Sequence, residues 1–191
     1  MTREYSALPL VHLAAGSRVC EPPMPRVTLD DPAISVMTDL LQVPAATTTA
    51  EEPIDAAHRA MMRRGVRLLF VVDANGAVQG VITATDLLGE KPVRFMQERG
   101  IAHAEVRVGD IMTPAHFLEA LAFRDVAGMR VGHVVATIRA VRRQHVMVSD
   151  ESGHRIRGLF SVTRIARQLG VDLSTTEVAS TFADIEAALA R

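Results

Sequence analysis

The hydrophobic positions of the chain fall into short, almost wholly apolar runs that are typical of buried strands. Residues 68–72 (LLFVV) are apolar at every position, which predicts a strand buried on both faces. Residues 80–82 predict a second buried strand. Asn75 and Gly76 lie between the two and predict a hairpin with a two-residue turn, in which both residues have positive φ. A helix is expected to follow directly.

The same pattern returns in the second half of the chain, at residues 146–165. Positions of the first copy have counterparts in the second: Asp73 and Asp150, Gly80 and Gly158, Thr83 and Ser161, and Asp86 and Arg164. Upstream of each copy, residues 36–38 (VMT) are echoed by residues 111–113 (IMT). An internal duplication of this length indicates a repeat architecture, so it takes precedence over any local prediction.

The duplication and the helical patterns divide the chain into five segments. These are an extended N-terminal segment at 1–31, a first repeat at 32–90, a linker helix at 91–105, a second repeat at 106–172 and a C-terminal helix at 173–191. Amphipathic spacing predicts one helix inside each repeat, at residues 53–64 and 131–143, and residues 117–123 predict a further strand. Gly65 is expected to end the first of these helices.

Apolar residues outside the repeats predict packing surfaces. The C-terminal helix opens with a capping box at residues 174–177 and carries an apolar stripe, formed by Val178, Phe182, Ile185 and Leu189. The N-terminal segment contributes a second apolar set, formed by Leu8, Leu10, Val11 and Leu13. We expect the stripe to lie in the core or in a dimer interface, and the N-terminal set to lie on the folded body or on a partner subunit.

Thr83 and Asp86 lie three residues apart at the predicted junction of strand and helix. A hydroxyl and a carboxylate beside the free N–H groups of a helix start form a small polar cup, which suits a sugar with vicinal hydroxyls and an attached phosphate. The alternative is an ordinary helix cap, with Thr83 as N-cap and Asp86 as its capping-box partner. The duplication of the whole stretch favours the cup.

The composition excludes several classes of protein. The chain has 191 residues, 48% hydrophobic and 23% charged, as in a soluble globular protein. Its net charge of -1 gives no general drive toward nucleic acid or an anionic membrane, and no apolar run is long enough to span a bilayer. Cys20 is the one cysteine, so a disulfide framework is excluded. We therefore expect a cytoplasmic protein.

No motif for catalysis or metal binding is found along the chain. The seven histidines have no spacing that suits zinc on a helix, and no nucleophile is paired with a base. We expect no catalytic residue, no metal site and no enzymatic activity. His145 is interpreted either as a partly buried, hydrogen-bonded histidine or as a ligand contact. Arg67, which adjoins the buried strand, is interpreted either as a solvated helix end or as a phosphate contact.

With the duplication and its motifs in view, the chain resembles a tandem pair of CBS domains, the module named after cystathionine β-synthase, of the stand-alone bacterial type. In the first half the resemblance rests on residues 36–38, 65–67 (GVR), 71–76 (VVDANG) and 80–86 (GVITATD). In the second half it rests on residues 110–114 (DIMTP), 148–153 (VSDESG) and 158–164 (GLFSVTR). The resemblance implies an α+β fold of two β-α-β-β-α repeats packed as a pseudo-symmetric pair, with an extended N-terminal segment and a C-terminal helix.

The resemblance also implies a ligand. The family typically binds adenosine-containing molecules (AMP, ADP, ATP or S-adenosylmethionine) in clefts between the two domains, as regulatory ligands and not as required cofactors. Carried over to this chain, Thr83 would meet the ribose or phosphate and Asp86 the ribose hydroxyls. Thr48, Arg67 and Leu69 would line the same cleft.

The second copy departs from the family pattern. Arg164 stands where the ribose-binding aspartate is expected, and a guanidinium cannot accept hydrogen bonds from hydroxyls. Ser161, Arg164 and His145 therefore form a possible second site, which is either degraded or repurposed.

The function implied by the resemblance is regulatory. We expect a small energy-sensing module that binds an adenine nucleotide and changes the packing of a homodimer or of an unknown effector protein, without nucleic acid or membrane partners. The alternative is a structural interaction module that no longer binds nucleotide, an interpretation that the difference between Asp86 and Arg164 favours.

Overall fold

The computed structural model describes residues 7–20 and 26–171. The predicted C-terminal helix with its apolar stripe lies outside the described residues, as does the proline-rich stretch at 22–25. The strands and helices follow in this order: β1 (Thr38–Asp39), β2 (Thr47–Thr48), α1 (Ile54–Arg64), β3 (Leu68–Val72), β4 (Val78–Thr83), α2 (Ala84–Leu88), α3 (Glu90–Arg99), α4 (Val108–Ile111), β5 (Thr113–Pro114), β6 (Ala120–Ala122), α5 (Phe123–Ala127), α6 (Val131–Val141), β7 (His145–Ser149), β8 (Ile156–Ser161) and α7 (Val162–Gln168). Short 3-10 helices occur at Ala33–Val36, His103–Glu105 and Ala115–Phe117.

The strands form two four-stranded sheets, with the order β2-β3-β4-β5 in one and β1-β8-β7-β6 in the other. In each sheet one repeat supplies a parallel pair and an antiparallel hairpin. The fourth strand is the leading strand of the other repeat, since β5 pairs with β4 and β1 pairs with β8. The predicted α+β fold with two repeats is therefore confirmed, and each repeat completes the sheet of its neighbour.

A glycine lies opposite each exchanged leading strand. A Cβ atom on Gly80 of β4 would overlap the backbone carbonyl oxygen of Thr113 in β5. A Cβ atom on Gly158 of β8 would overlap the side chain of Met37, directly before β1. The duplicated glycines thus allow the close approach of the leading strands.

The strand β3 is buried on both faces, as its apolar sequence predicts. Leu69 and Val71 are fully buried in a cluster that includes the apolar face of α1. Leu68 and Phe70 join Met147 of β7 in a second cluster, which lies between the two sheets. A third cluster packs α6 and α7 against the other sheet. The two repeats therefore meet through their sheets, and their helices lie on the outer faces.

The turn of the first hairpin differs from the predicted two-residue turn. Five residues connect β3 to β4, and Gly76 has a positive φ of 81° whereas Asn75 does not. The carboxylate of Asp73 accepts hydrogen bonds from the N–H groups of Asn75 and Ala77, both at 2.8 Å. The predicted turn was wrong because this aspartate side chain supplies the hydrogen bonds that hold a longer connection.

The equivalent helices α1 and α6 end in different ways. The predicted Gly65 ends α1 in the left-handed conformation, with φ 63°. The helix α6 ends at Val141, earlier than predicted, because Arg142 adopts the left-handed conformation with φ 51°. This conformation costs a non-glycine residue roughly 1–2 kcal/mol. The predicted strand at 117–123 is shortened to β6, since a 3-10 helix occupies its start.

Within the predicted N-terminal segment, residues 7–20 are exposed along their whole length, whereas Val27 and Leu29 pack against the core cluster of α6 and α7. Leu8, Leu10, Val11 and Leu13 are between 85% and 99% exposed. They do not pack on the folded body, so that part of the expectation was wrong, and contact with a partner subunit stays a prediction. None of the described helices combines the length and the apolar character that crossing a bilayer requires.

Candidate ligand clefts

Two clefts lie where the repeats meet, and both repeats build each of them. The first cleft, of about 380 Å³, is lined by Thr83 and Asp86 and by residues 142–145 at the junction of α6 and β7. The second cleft, of about 660 Å³, is lined by Ser161 and Arg164 and by residues 65–68 at the junction of α1 and β3. Each cleft thus combines the strand-to-helix junction of one repeat with the end of the long helix, α1 or α6, of the other.

Thr83 and Asp86 form a capping box at the wall of the first cleft. Thr83 ends β4 in an extended conformation, which places its polar groups at the start of α2. Its Oγ1 accepts a hydrogen bond from the Asp86 N–H at 3.2 Å. The Asp86 Oδ2 in turn accepts from the Thr83 N–H at 2.8 Å and from its hydroxyl at 2.7 Å. The capping box and the cup are therefore the same structure, since the box fixes the carboxylate at the cleft.

Lys91 holds the other oxygen of the Asp86 carboxylate. Its Nζ lies 2.6 Å from Asp86 Oδ1 and donates a hydrogen bond to the carbonyl of Ile111 at 3.3 Å. Because a carboxylate oxygen has two acceptor positions, Oδ2 is fully used by Thr83 and Oδ1 keeps one position. The first cleft can therefore bond one ligand hydroxyl at Asp86 directly. Binding two vicinal hydroxyls there requires Lys91 or Thr83 to move.

Apolar and basic residues complete the first cleft. Val81 and Met147 contribute apolar wall, and Arg142 and Arg143 contribute positive charge. The guanidinium of Arg143 is paired with Glu119, at 2.9 Å between Nη2 and Oε2. The first cleft therefore offers an apolar surface for a flat ring, a carboxylate for a hydroxyl, and a guanidinium for an anion.

The second cleft is basic. Arg164 stands at the position of the aspartate, and its Nη1 donates a hydrogen bond to Thr38 Oγ1 at 3.0 Å. Arg67 and Arg167 also line the cleft, whereas none of the residues that line it carries a carboxylate. The side chain of Ser161 makes no capping hydrogen bond to α7. This cleft lacks the carboxylate cup of the first.

The structure brings together only some of the residues that were predicted to share a cleft with Thr83. Arg67 lies in the second cleft, because the end of the long helix of each repeat meets the strand-to-helix junction of the other. Leu69 is fully buried against α1, since successive strand residues point to opposite faces, and its neighbour Leu68 lines both clefts instead. Thr48 lies on a different surface, in a groove beside α1. The three residues of the possible second site do meet in one cleft.

Comparison with known proteins matches part of the chain to a family model and its fold to solved structures. Residues 33–92 match the family model of the CBS domain. A solved structure of an uncharacterized conserved protein from Pyrococcus horikoshii has a TM-score of 0.56 at 21% identity, covering 78% of this chain and 100% of that one. The CBS-pair protein CBSX2 from Arabidopsis thaliana, solved in complex with AMP, has a TM-score of 0.52 at 19% identity, covering 72% and 94%. Residues 33–92 thus match a CBS domain, and the fold of the described chain is similar to that of CBS-pair proteins.

A third solved structure, a CBS-domain containing protein from Agrobacterium tumefaciens, has a TM-score of 0.52 at 19% identity and covers 70% of this chain and 93% of that one. No curated protein matches the sequence. The family model stops at residue 92. Beyond it, the second repeat repeats the strand order of the first, with one additional helix, α5, between β6 and α6. The chain therefore has the fold of a CBS pair.

His145 lies between the two clefts and lines both. Burial and, to a smaller extent, the positive charge of Arg67 lower its pKa from 6.5 to about 4, while Asp86 acts in the opposite direction. The imidazole is therefore neutral near pH 7. Its Nδ1 is buried and has no hydrogen-bond partner among the described residues.

The sequence did not point to two further residues, one that contacts a lining residue of the first cleft and one that lines the second. Lys91 reaches Asp86 across the break between α2 and α3, so helical spacing could not have joined them. Gln168 is 3% exposed and lines the second cleft, and its Oε1 has no partner among the described residues. It lies four residues after Arg164 on α7, a spacing that puts both on one helix face and could have identified it. No described group of His, Cys, Asp and Glu could hold a metal ion.

Proposed function

We propose that this chain is a cytoplasmic regulatory module that binds an adenine nucleotide or another adenosyl ligand in the first cleft. The observation that carries the proposal is Asp86: its carboxylate is 12% exposed, is fixed by the capping box with Thr83, and keeps one acceptor position at the cleft. The similar fold of CBSX2, solved in complex with AMP, supports an adenosine-containing ligand.

The proposed pose follows from the chemistry of the cleft walls. The adenine lies against the apolar surface formed by Leu68, Val81 and Met147. A ribose hydroxyl donates to Asp86 Oδ1, beside Lys91. The phosphate lies toward the Arg142 guanidinium.

Occupancy of the first cleft is proposed to change how the two repeats pack. The wall residues Leu68 and Met147 also belong to the apolar cluster between the sheets, so a ligand that moves them alters the interface between the repeats. A coupling of this kind is typically about 1–3 kcal/mol. A homodimer contact or an effector protein reads the change, and competition between AMP and ATP would make the module an energy sensor.

Isothermal titration calorimetry of the full chain with AMP, ADP, ATP and S-adenosylmethionine tests the proposal. At least one ligand is expected to bind, and Asp86→Asn is expected to weaken binding roughly tenfold, because it removes a charged acceptor. Asp125→Asn, on the exposed surface of α5, is the matched control and should bind as the wild type does. Lys91→Ala should bind at least as tightly as the wild type, since it frees Oδ1. Absence of heat and of a thermal shift with all four ligands would overturn the proposal.

A second candidate is a structural interaction module that binds no nucleotide. The contact between Lys91 and Asp86 favours it, because the carboxylate already has a cationic partner in the structure. Sedimentation analysis with and without ligand separates the candidates. A stable assembly whose size and melting temperature do not respond to any of the four ligands supports the interaction module.

A further inference from the structure

The surface that contains Thr48 takes no part in either cleft between the repeats. It is a groove of about 440 Å³ lined by residues of β2, α1 and the end of β3, and we call it the α1 groove. We propose that the α1 groove and the free edge of β2 dock an extended acidic peptide of a partner protein. The peptide adds to β2 as a further strand and pairs its carboxylates with Arg59 and Arg63. This goes beyond the proposed function, because it needs no ligand in either cleft.

The free edge of β2 is the first argument. This strand is the last of its sheet, with β3 on one side and no described strand on the other. The N–H of Phe70 in β3 donates to the carbonyl of Ala46, directly before β2. Because the polar groups of successive strand residues point to alternate sides, the N–H and C=O of Thr47 point away from β3. An exposed edge with unpaired backbone groups is a template for an added strand.

The charge beside this edge is the second argument, and it selects an acidic strand. Arg59 and Arg63 line the groove, both are exposed, and neither has an ion-pair partner within the described chain. Among the described residues that line the groove, Glu52 carries the one carboxylate. The groove therefore has a net positive charge, and its two guanidinium groups can each bind a carboxylate in bidentate geometry.

The spacing of the two arginines fits an extended peptide. They lie four residues apart on α1, so their Cβ atoms are about 5–6 Å apart. Side chains two residues apart on one face of a strand are about 6.5 Å apart. A helix that connects two parallel strands runs along them, as α1 does between β2 and β3. Two acidic residues separated by one residue therefore match the arginine pair.

The shape of the groove leaves room for these acidic side chains. Thr48 pairs with Val71, which is buried against α1, so the Thr48 side chain is on the face of the sheet that the helix covers. On the helix, Ala56 and Ala60 line the groove with methyl groups alone. An added strand beside β2 can therefore direct every second side chain into the groove, toward α1.

The second repeat shows that the fold does not require this chemistry. The helices α1 and α6 have 11 residues each and bury equivalent positions. Aligned in this way, Ala136 and Ala140 stand where Arg59 and Arg63 do. The strand β6 pairs with β7 as β2 pairs with β3, and it has the sequence ALA where the first repeat has TTT. The polar edge and the arginine pair are therefore features of the first repeat alone.

The test is fluorescence anisotropy of the full chain with a labelled heptapeptide, Val-Asp-Val-Asp-Val-Asp-Val. This peptide is expected to bind, and its counterpart with asparagine for aspartate should bind severalfold more weakly, because the carboxylates are lost. Arg59→Gln and Arg63→Gln should each weaken binding roughly two- to fivefold, the range of exposed ion pairs. Arg64→Gln, an exposed arginine of the same helix outside the groove, is the matched control and should bind as the wild type does.

Two changes test the added strand separately from charge. Thr47→Pro removes the outward N–H and keeps the hydrogen bonds between β2 and β3, so it should weaken binding roughly tenfold while a thermal melt shows that the chain stays folded. Two peptides, one N-methylated at its aspartates and one at its internal valines, leave the protein unaltered. The N–H groups of only one set face β2, so one of the two peptides should lose binding and the other should keep it.

Three results would each overturn the docking site: no binding of the aspartate peptide, equal losses in Arg64→Gln and Arg59→Gln, or equal affinity of the two methylated peptides. Self-association of the chain that both Arg59→Gln and the aspartate peptide disrupt would show that a second copy occupies the groove, and it would overturn the proposal of a partner peptide. None of these results bears on ligand binding in the first cleft.

Discussion

At the scale of single residues, His145 connects the two clefts electrostatically. Burial and the charge of Arg67 lower its pKa and keep the ring neutral, whereas Asp86 raises the pKa. The ring therefore interacts with one charged residue from each cleft, Arg67 from the second and Asp86 from the first. A neutral imidazole between the two clefts adds no charge of its own to either. The residue therefore serves as the shared wall at physiological pH, and it acquires a charge only when the fold opens or the pH falls.

This environment predicts a pH dependence of stability. The pKa of His145 is about 4 in the folded chain and about 6.5 when unfolded, so between these values the unfolded state binds more protons. The contribution of His145 to the free energy of unfolding is therefore complete above pH 6.5. It is lost as the pH falls toward 4, and the loss is on the order of 3 kcal/mol in all. Urea denaturation of the ligand-free chain at a series of pH values should show this loss in the wild type and not in His145→Gln.

The matched control for this experiment is His154→Gln, in the exposed connection between β7 and β8. Its pH profile should follow that of the wild type. Identical slopes for His145→Gln and the wild type between about pH 6.5 and pH 4.5 would contradict the assignment of the loss to His145.

Sequence reasoning placed residues correctly where the motif itself fixes them. Thr83 and Asp86 are three residues apart at a helix start, so local geometry alone brings them together. Leu69 was assigned to the wrong face of β3, because an apolar strand buried on both sides gives no alternation from which to read its faces. That Thr83 and Asp86 bind a ligand stays a prediction.

At the scale of elements, the two glycines opposite the leading strands make a matched pair. A Cβ atom on Gly80 meets the backbone carbonyl of Thr113, which can move only with β5. A Cβ atom on Gly158 meets the end of the Met37 side chain, which can rotate away. Gly80→Ala should therefore reduce the free energy of unfolding by about 1–3 kcal/mol, and Gly158→Ala by less than about 1 kcal/mol.

Chemical denaturation of both variants measures this difference. Gly128→Ala is the control, since a Cβ atom there has no neighbour within 4 Å and φ is -94°. It should be neutral or stabilising by up to about 1 kcal/mol, through the entropy of the unfolded chain. A loss in Gly158→Ala as large as that in Gly80→Ala would contradict the distinction between backbone and side-chain contacts.

Helices and strands were more predictable than their ends. The apolar stripe of α6 indicated the helix, but its end depends on Arg142 adopting a conformation that the residue type disfavours. Asn75 and Gly76 indicated a turn, but the carboxylate of Asp73 decided its length. In both cases one residue decides where the element or turn ends, against the conformation that the neighbouring residues favour. The local sequence pattern does not reveal which of the two preferences determines the structure.

At the scale of the whole molecule, the duplication predicted the paired fold but not the exchange of leading strands. Two copies in order indicate two similar units, and the pattern does not state which sheet each short leading strand joins. β1 and β5 have two residues each, too few for hydrophobic alternation to fix a partner. The sequence signal for this pairing was the glycine within each hairpin strand, Gly80 and Gly158. Such a glycine indicates that another segment of backbone approaches closely, but it does not indicate which segment.

The exchange predicts that the two repeats fold together and not separately. A fragment of residues 1–105 lacks β5, which completes its sheet, and leaves its own β1 without β8. A fragment of residues 106–191 is deficient in the same way, and both would expose the apolar cluster between the sheets. We therefore expect neither fragment to show a cooperative thermal transition by circular dichroism, whereas co-expressed fragments should associate and melt cooperatively.

The co-expressed pair is also the control for the effect of cutting the chain. It supplies β5 to the first sheet and β1 to the second, while the peptide bond between residues 105 and 106 stays broken. Introducing Gly80→Ala into the first fragment should weaken the association, since the variant obstructs β5 of the second. A fragment of residues 1–105 that melts cooperatively on its own, near the temperature of the full chain, would show that its sheet is stable without the strand from its neighbour. The dependence of each sheet on the other repeat is what would let a ligand between the repeats act on the whole pair.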